Sequence, residues 1–176
     1  IEQLKGYGTD VVRHYVVDLE RTDEGFRLET AGGDVVAARR VVLATGFSDD
    51  RPDPPLPRTG RGLHYCLHCD AEMFVDEPVY VMGHGDSAAT VAMIMLNFTD
   101  EVDLLLDGDG PTWSGDTERQ LRAHPVDVVP EEVVGVENGD DGWLESLEFD
   151  DGTVREYRGG FAMYGSSYNY ELARQV

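Results

Sequence analysis

The sequence predicts an α/β fold built on a Rossmann-like nucleotide-binding domain, with a central parallel sheet and a β-hairpin or meander beside it. Three observations lead there. An apolar segment at Pro78 to Met82 runs into a glycine turn, Gly83-His84-Gly85, and then into an apolar helical stretch. A second apolar segment follows at Val102 to Leu106, so strand, helix and strand form a βαβ unit whose crossover makes the two strands parallel. The chain has 176 residues, 41% of them hydrophobic, enough for one ordinary domain or two small ones with real cores.

Before the βαβ unit, residues 10 to 45 alternate apolar and polar. That pattern predicts short antiparallel strands at Val11 to Val17, Phe26 to Glu29, Val35 to Ala37 and Val41 to Ala44. Asp23-Glu24-Gly25 and Gly32-Gly33-Asp34 are the turns between them, and Val41-Val42-Leu43-Ala44, apolar on both faces, reads as a central strand. Asp50 to Gly62 carries four of the eight prolines and two glycines, cannot form a continuous element, and reads as a crossing between domains. The βαβ helix is expected from Ser87 to Phe98, with Met93 and Met95 filling core gaps. A helix at Asp116 to Ala123, a strand at Val126 to Val129, a hairpin of Val133 to Val136 with Leu144 to Phe149, and a strand at Thr153 to Tyr157 follow. Gly159-Gly160 then leads into a short buried strand, Phe161-Ala162-Met163-Tyr164-Gly165. His14 reads as a surface or satisfied histidine, and Trp113 and Trp143 as loop residues.

Acidic residues number 35 against 14 basic ones, a net charge of −21 that excludes a nucleic-acid partner, since gripping phosphates requires clustered cations. Lys5 is the only lysine, and an acidic coat with arginine in place of lysine reads as halophilic: at about 1 M salt the Debye length is ~3 Å and carboxylate self-repulsion is screened. Apolar residues spread along the whole chain argue against disorder. The longest apolar run, Ala88 to Leu96, falls short of the ~20 residues of a membrane span, and Ile1-Glu2-Gln3-Leu4-Lys5 does not open a secretory leader. A soluble, cytoplasmic protein without a membrane partner is expected. Two cysteines are too few for a secreted disulfide framework.

Gly83-His84-Gly85-Asp86-Ser87-Ala88 fits the dinucleotide fingerprint G-x-G-x-x-G/A. The first glycine allows the tight turn, the second lets a pyrophosphate reach the backbone, Ala88 permits close helix packing, and the amides of Asp86 and Ser87 open the helix toward the phosphates. Asp107, 24 residues beyond Gly83, stands where an acid bonds the ribose 2′-hydroxyl. No arginine occurs between Arg61 and Arg119, so NADH is possible and NADPH disfavoured. The competing reading is a Rossmann-like unit whose site has decayed, because Asp86, Asp107 and Asp109 make it acidic for a dianionic ligand.

Cys66-Leu67-His68-Cys69 is a C-x-x-C pair within disulfide reach, a setting that draws a thiol pKa from about 8.5 toward neutrality. His68 would lower it further. Asp70 opposes a thiolate by charge yet can carry the proton that exchange releases or consumes. Zinc is a rival, with His64, Cys66, His68 and Cys69 as ligands, but no second ligand pair follows and no metal is assigned. An inert buried pair is the third reading.

Tyr65-Cys66-Leu67-His68-Cys69-Asp70 followed by Gly83-His84-Gly85-Asp86-Ser87-Ala88 resembles the low-molecular-weight thioredoxin reductases, a branch of the flavin-dependent pyridine nucleotide-disulfide oxidoreductases. Val41-Val42-Leu43-Ala44-Thr45-Gly46 resembles that family's second flavin-domain signature, and Phe161 to Gly165 resembles the strand at which the chain re-enters that domain. The resemblance implies an NAD(P)-binding-like domain at 61–158 inserted into a partial FAD-type α/β domain formed by 1–60 and 159–176, with Thr45 and Gly46 on the flavin side. It implies electron flow from a nicotinamide to FAD, to the disulfide and on to a thioredoxin-like protein or small disulfide substrate, in a homodimer. Cys69 would face the flavin, Cys66 would be the exchange thiol, and Asp70 the acid/base. The first FAD fingerprint and the terminal Gly-Asp signature are missing, so the chain is expected to be an interior fragment of a longer protein. Leu106-Asp107-Gly108-Asp109 replaces the family's basic cluster, and Leu67 and His68 stand where small residues are usual. A flavin-dependent dithiol oxidase that uses no nicotinamide, or a noncatalytic nucleotide-binding or regulatory module, are the alternatives.

Overall fold

The computed structural model describes residues 2–53 and 55–176; Pro54, within the expected crossing, lies outside them. The chain divides into two compact units, one running up to Ser48 and resuming at Ser167, the other Asp49–Ser166.

The first unit opens with helix α1 (Glu2–Gly6) and an antiparallel meander of β1 (Val16–Thr22), β2 (Gly25–Thr30) and β3 (Val35–Ala38). The β2–β3 turn is closed by the Thr30 side chain, whose Oγ1 accepts from Asp34 N at 3.1 Å, while Gly33 N donates to Thr30 O at 2.9 Å. Two expectations are corrected here. The first strand begins at Val16 rather than Val11, and Val41 to Ala44 is not a strand. Val42 is 89% exposed, the reverse of a central position. An apolar run becomes a strand only when a neighbour takes up its backbone N–H and C=O groups, and no described strand of this unit lies beside it. Leu19 and Thr30 are the only buried residues among those described in this unit. The first stretch of this unit closes in β4 (Phe47–Asp49), whose last residue already belongs to the second.

The second unit is a three-layer α/β structure. In order it contains β5 (Leu63–His64), α2 (Leu67–Asp70), a 3-10 turn at Ala71–Phe74, β6 (Val79–Met82), α3 (Asp86–Met95), β7 (Val102–Leu105), α4 (Gly115–Leu121) and β8 (Asp127–Val129). A meander of β9 (Val133–Asn138), β10 (Leu144–Phe149) and β11 (Val154–Glu156) follows, then β12 (Gly159–Ala162). Strand β13 (Ser166–Tyr168) carries the chain out and pairs with β4. Beyond it Gln175, in a closing 3-10 turn, accepts from Leu19 N at 2.7 Å.

The central sheet is parallel, in the order β5-β12-β6-β7-β8. Its strands are apolar on both faces because both are covered. On the helical side Phe74, Val79, Val81, Ala88, Met95, Leu104 and Phe161 pack together, and on the meander side Leu63, Tyr80, Met82, Leu105, Leu147 and Phe149 do. Gly160 lets β12 sit against β6, since a Cβ there would fall 2.1 Å from the Tyr80 carbonyl oxygen. Arg155 of β11 ties the meander to the sheet, its guanidinium 2.8 Å from Asp103 and 2.7 Å from Asp127, while the Tyr157 hydroxyl donates to Asp103 at 2.6 Å. Helix α3 stops at Met95, three residues before its expected end, because the Asn97 side chain and backbone N–H both turn back to Ile94 O. No helix among the described residues is long and apolar enough to cross a membrane.

Because every strand of this sheet points the same way, one edge collects all the strand C-termini, the edge at which open α/β sheets bind ligands. There β5 runs into the cysteine pair, β6 into the glycine turn, β7 into Asp107 and β12 into Tyr164.

Candidate functional site

Cys66 and Cys69 are joined as a disulfide, Cα atoms 5.3 Å apart. Cys66 is extended, the chain then turns once through α2, and the N–H groups of Cys69 and Asp70 both donate to Cys66 O, at 3.1 and 3.2 Å. That single turn sets the two sulfurs on one side. Both cysteines are exposed, which removes the reading of an inert buried pair. The 3-10 turn behind them anchors the loop through buried Ala71 and Phe74.

Asp70 does not stand alone. Its Oδ2 lies 2.8 Å from Nδ1 of His64, a residue weighed in the sequence only as a zinc ligand. The His64 side chain is 4% exposed and that of Asp70 30%. The imidazole meets Phe74 edge-on at 5.2 Å and is tilted against Phe161 at 5.9 Å, and its Nε2 is buried without a partner among the described residues. With the sulfurs bonded to each other and Nδ1 turned to Asp70, the four residues are not arranged as a zinc set. His68 is exposed on α2.

The glycine turn has the backbone of a dinucleotide fingerprint. Gly83 has φ +141°, and a Cβ there would come within 2.9 Å of Met163 O and 3.0 Å of the Ala88 Cβ. Gly85 opens α3, and a Cβ there would meet nothing closer than Thr112 Oγ1 at 3.8 Å, so the backbone is open to a ligand. Ala88 is fully buried and Ser87 exposed at the helix start. The side chains around the turn are less welcoming to an anion. Thr112 N donates to His84 O at 2.7 Å and Ser114 N to the Asp86 carboxylate at 2.8 Å, which fastens residues 112–114 to the turn. The Thr117 hydroxyl and the Ser114 N–H hold the Asp86 carboxyl below the usual aspartate range.

Asp107 sits at the end of β7 with φ +55°, a conformation aspartate tolerates better than most residues. Its carboxylate accepts from Val133 N at 3.0 Å and from the Tyr164 hydroxyl at 3.4 Å. Together with Asp53, Asp109 and Glu132 it lines a cavity of about 430 Å³. Burial first, then the charges of Asp107 and Asp109, push the Tyr164 hydroxyl above the usual tyrosine range. Sequence reasoning found no cation near this strand end, yet Arg51 lines the same cavity, delivered from the proline-rich segment by the fold and lying 5.7 Å over the Tyr65 ring. In the other unit Thr45 and Gly46 are held by Asn169, whose N–H donates to Gly46 O at 3.1 Å and whose Nδ2 donates to Thr45 O at 3.0 Å.

A family described as pyridine nucleotide-disulphide oxidoreductase matches residues 11–131. The chain belongs to this family. Among curated proteins it is 30% identical over 164 residues to a thioredoxin reductase of Penicillium chrysogenum, a match covering 85% of this chain and 49% of that one. Among solved structures, HlmI is 28% identical with a TM-score of 0.87, covering 99% of this chain and 56% of that one. A thioredoxin reductase from Bacillus anthracis, described as putative, superposes with a TM-score of 0.84 at 23% identity, covers 99% of this chain and 59% of that one, and supports the fold. This chain therefore spans about half the length of relatives that match along most of it.

Proposed function

We propose that this chain is the disulfide-bearing part of a thioredoxin reductase-like, flavin-dependent disulfide oxidoreductase. The observation that carries the reading is the exposed Cys66–Cys69 disulfide at the C-terminal edge of the parallel sheet, followed in the chain by Asp70. FAD, held by the first unit with Thr45 and Gly46 on its side, supplies the electron pair when bound. Two electrons and one proton convert the disulfide to a Cys66 thiol and a Cys69 thiolate. Asp70 passes that proton from solvent to Cys66 and accepts it when Cys66 attacks the disulfide of a thioredoxin-like protein or small substrate. The domain carrying the cysteines, 61–158, is inserted between the two pieces of the flavin domain, and the working enzyme is a cytoplasmic homodimer of a halophilic cell.

Gly83, Gly85, Ser87 and Ala88 supply the cradle for a dinucleotide; Asp107 at the end of β7 favours the free ribose hydroxyl of NADH, although Arg51 on the same cavity supplies a cation that a 2′-phosphate could meet. A second reading, in which a dithiol feeds FAD and no nicotinamide is used, draws support from the carboxylates of Asp86 and Asp107, each already bonded within the protein.

Anaerobic titration of the flavin-loaded protein, followed by flavin absorbance, tests the proposal. Dithiothreitol is expected to bleach the wild type and to leave Cys66→Ser unchanged, while bleaching by NADH selects the reductase over the oxidase. Wild-type flavin that no dithiol bleaches would refute both.

A further inference from the structure

We infer that His64 is the positioning residue of the Cys66–Cys69 couple, orienting the carboxyl group of Asp70, which follows Cys69 in the chain. The inference rests on the redox reading of the cysteine pair and deepens it.

His64 is the last residue of β5, in register with Phe161 of β12. Strand alternation sends Leu63 and Tyr65 into the layer shared with Tyr80 and the meander, and turns His64 to the helical side. What meets the imidazole there is Phe74 from the 3-10 turn, Phe161 from β12 and the carboxylate of Asp70 from α2. The phenols of Tyr65 and Tyr80 belong to the opposite layer.

The two ring nitrogens are in unlike settings. Nδ1 is 2.8 Å from Asp70 Oδ2, whereas Nε2 is buried with no partner among the described residues. A proton on Nε2 would leave a buried donor unsatisfied, and a charged ring would bury an unpaired N–H as well, so a bare lone pair is the cheaper state for that atom. The ring is therefore neutral with its proton on Nδ1, and that N–H donates to Asp70. That N–H fixes where the Oδ2 oxygen of Asp70 lies and leaves the carboxyl group ready to accept a proton.

In exchange, the Cys66 thiol gives its proton to Asp70 as its sulfur bonds to one sulfur of the partner disulfide, whose other sulfur leaves as a thiolate. The Cys69 thiolate then attacks Cys66, re-forming the internal disulfide and releasing the second partner sulfur, which takes the proton from Asp70. Atoms and electrons balance with the partner reduced and the cysteine pair oxidised; reduced flavin or an added dithiol restores the dithiol form.

The test uses the 176-residue chain. Reduced with dithiothreitol and desalted anaerobically, it is mixed with a chromogenic aromatic disulfide, and thiolate release is timed. His64→Phe is expected to slow exchange at least about tenfold. His64→Asn, whose amide nitrogen can take the place of Nδ1, recovers to within about threefold of wild type. Asp70→Asn is as slow as His64→Phe, and the double variant is no slower than either, because one residue acts through the other. Nitrogen-15 shifts of His64 should report a neutral, Nδ1-protonated ring. An unchanged rate in His64→Phe, an asparagine variant as slow as the phenylalanine one, or an Nε2-protonated ring each overturns the inference while leaving the redox reading intact. A wild-type dithiol that does not react with the disulfide overturns the redox reading itself.

Discussion

At the scale of single residues, the acids of this chain serve the fold before they serve a ligand. Asp86 opens α3 and fastens the segment leading to α4, with Ser114 N as one donor. Its carboxyl is held down by the Thr117 hydroxyl and the Ser114 N–H, so the ionised form is favoured in the folded state. The linked stability is fully present above the ordinary aspartate value of about 3.9 and is lost as pH falls through the lowered one. Asp86→Asn should therefore flatten the acid side of a melting-temperature profile below about pH 4, and a profile superimposable on wild type there would refute the role. Motif spacing was enough to find Asp86 and Asp107 in the sequence. What they bond to was not legible, because Ser114 and Val133 are loop and strand partners 28 and 26 residues away. His64 was hidden for a similar reason: a strand-end histidine and a helix-end aspartate meet only after the intervening turn has formed.

At the scale of elements, the pieces whose partners are close in sequence were legible. The βαβ unit announced itself through an apolar strand, a glycine turn and an alanine-rich helix, and the hairpin of β9 and β10 through two apolar runs with a glycine-rich stretch between them. Val41 to Ala44 misled because apolarity reports a demand for burial, not a place in a sheet. For β12 the sequence showed a short strand but not its slot, which depends on Gly160. A methyl there meets the Tyr80 backbone, and backbone cannot swing aside, so Gly160→Ala should lower stability by about 2 kcal/mol or more, read as a drop in the urea midpoint. Gly110, where a Cβ would meet nothing within 4 Å, is the matched control, and its alanine variant should stay within about 0.5 kcal/mol. Equal effects at the two positions would contradict the packing account.

At the scale of the whole molecule, the charge of −21 sets the solution behaviour. Raising salt from about 0.1 M to 1 M shortens the Debye length from ~10 Å to ~3 Å, which relieves repulsion among exposed carboxylates more than it weakens the partly buried Arg155 cluster. The melting temperature should rise by several degrees across that range of potassium chloride; a fall would refute the halophilic reading. The order of the parallel sheet bears on how the chain is made. Strand β12 fills the gap between β5 and β6, and its Gly160 pairs with Leu63 from far up the chain. A nascent polypeptide still short of Gly159 thus has two facing rows of unsatisfied peptide groups and no means of closing them. The cysteines leave the ribosome well before the platform beneath them can be completed, and this architecture delays assembly until nearly the last residues of the unit have been translated.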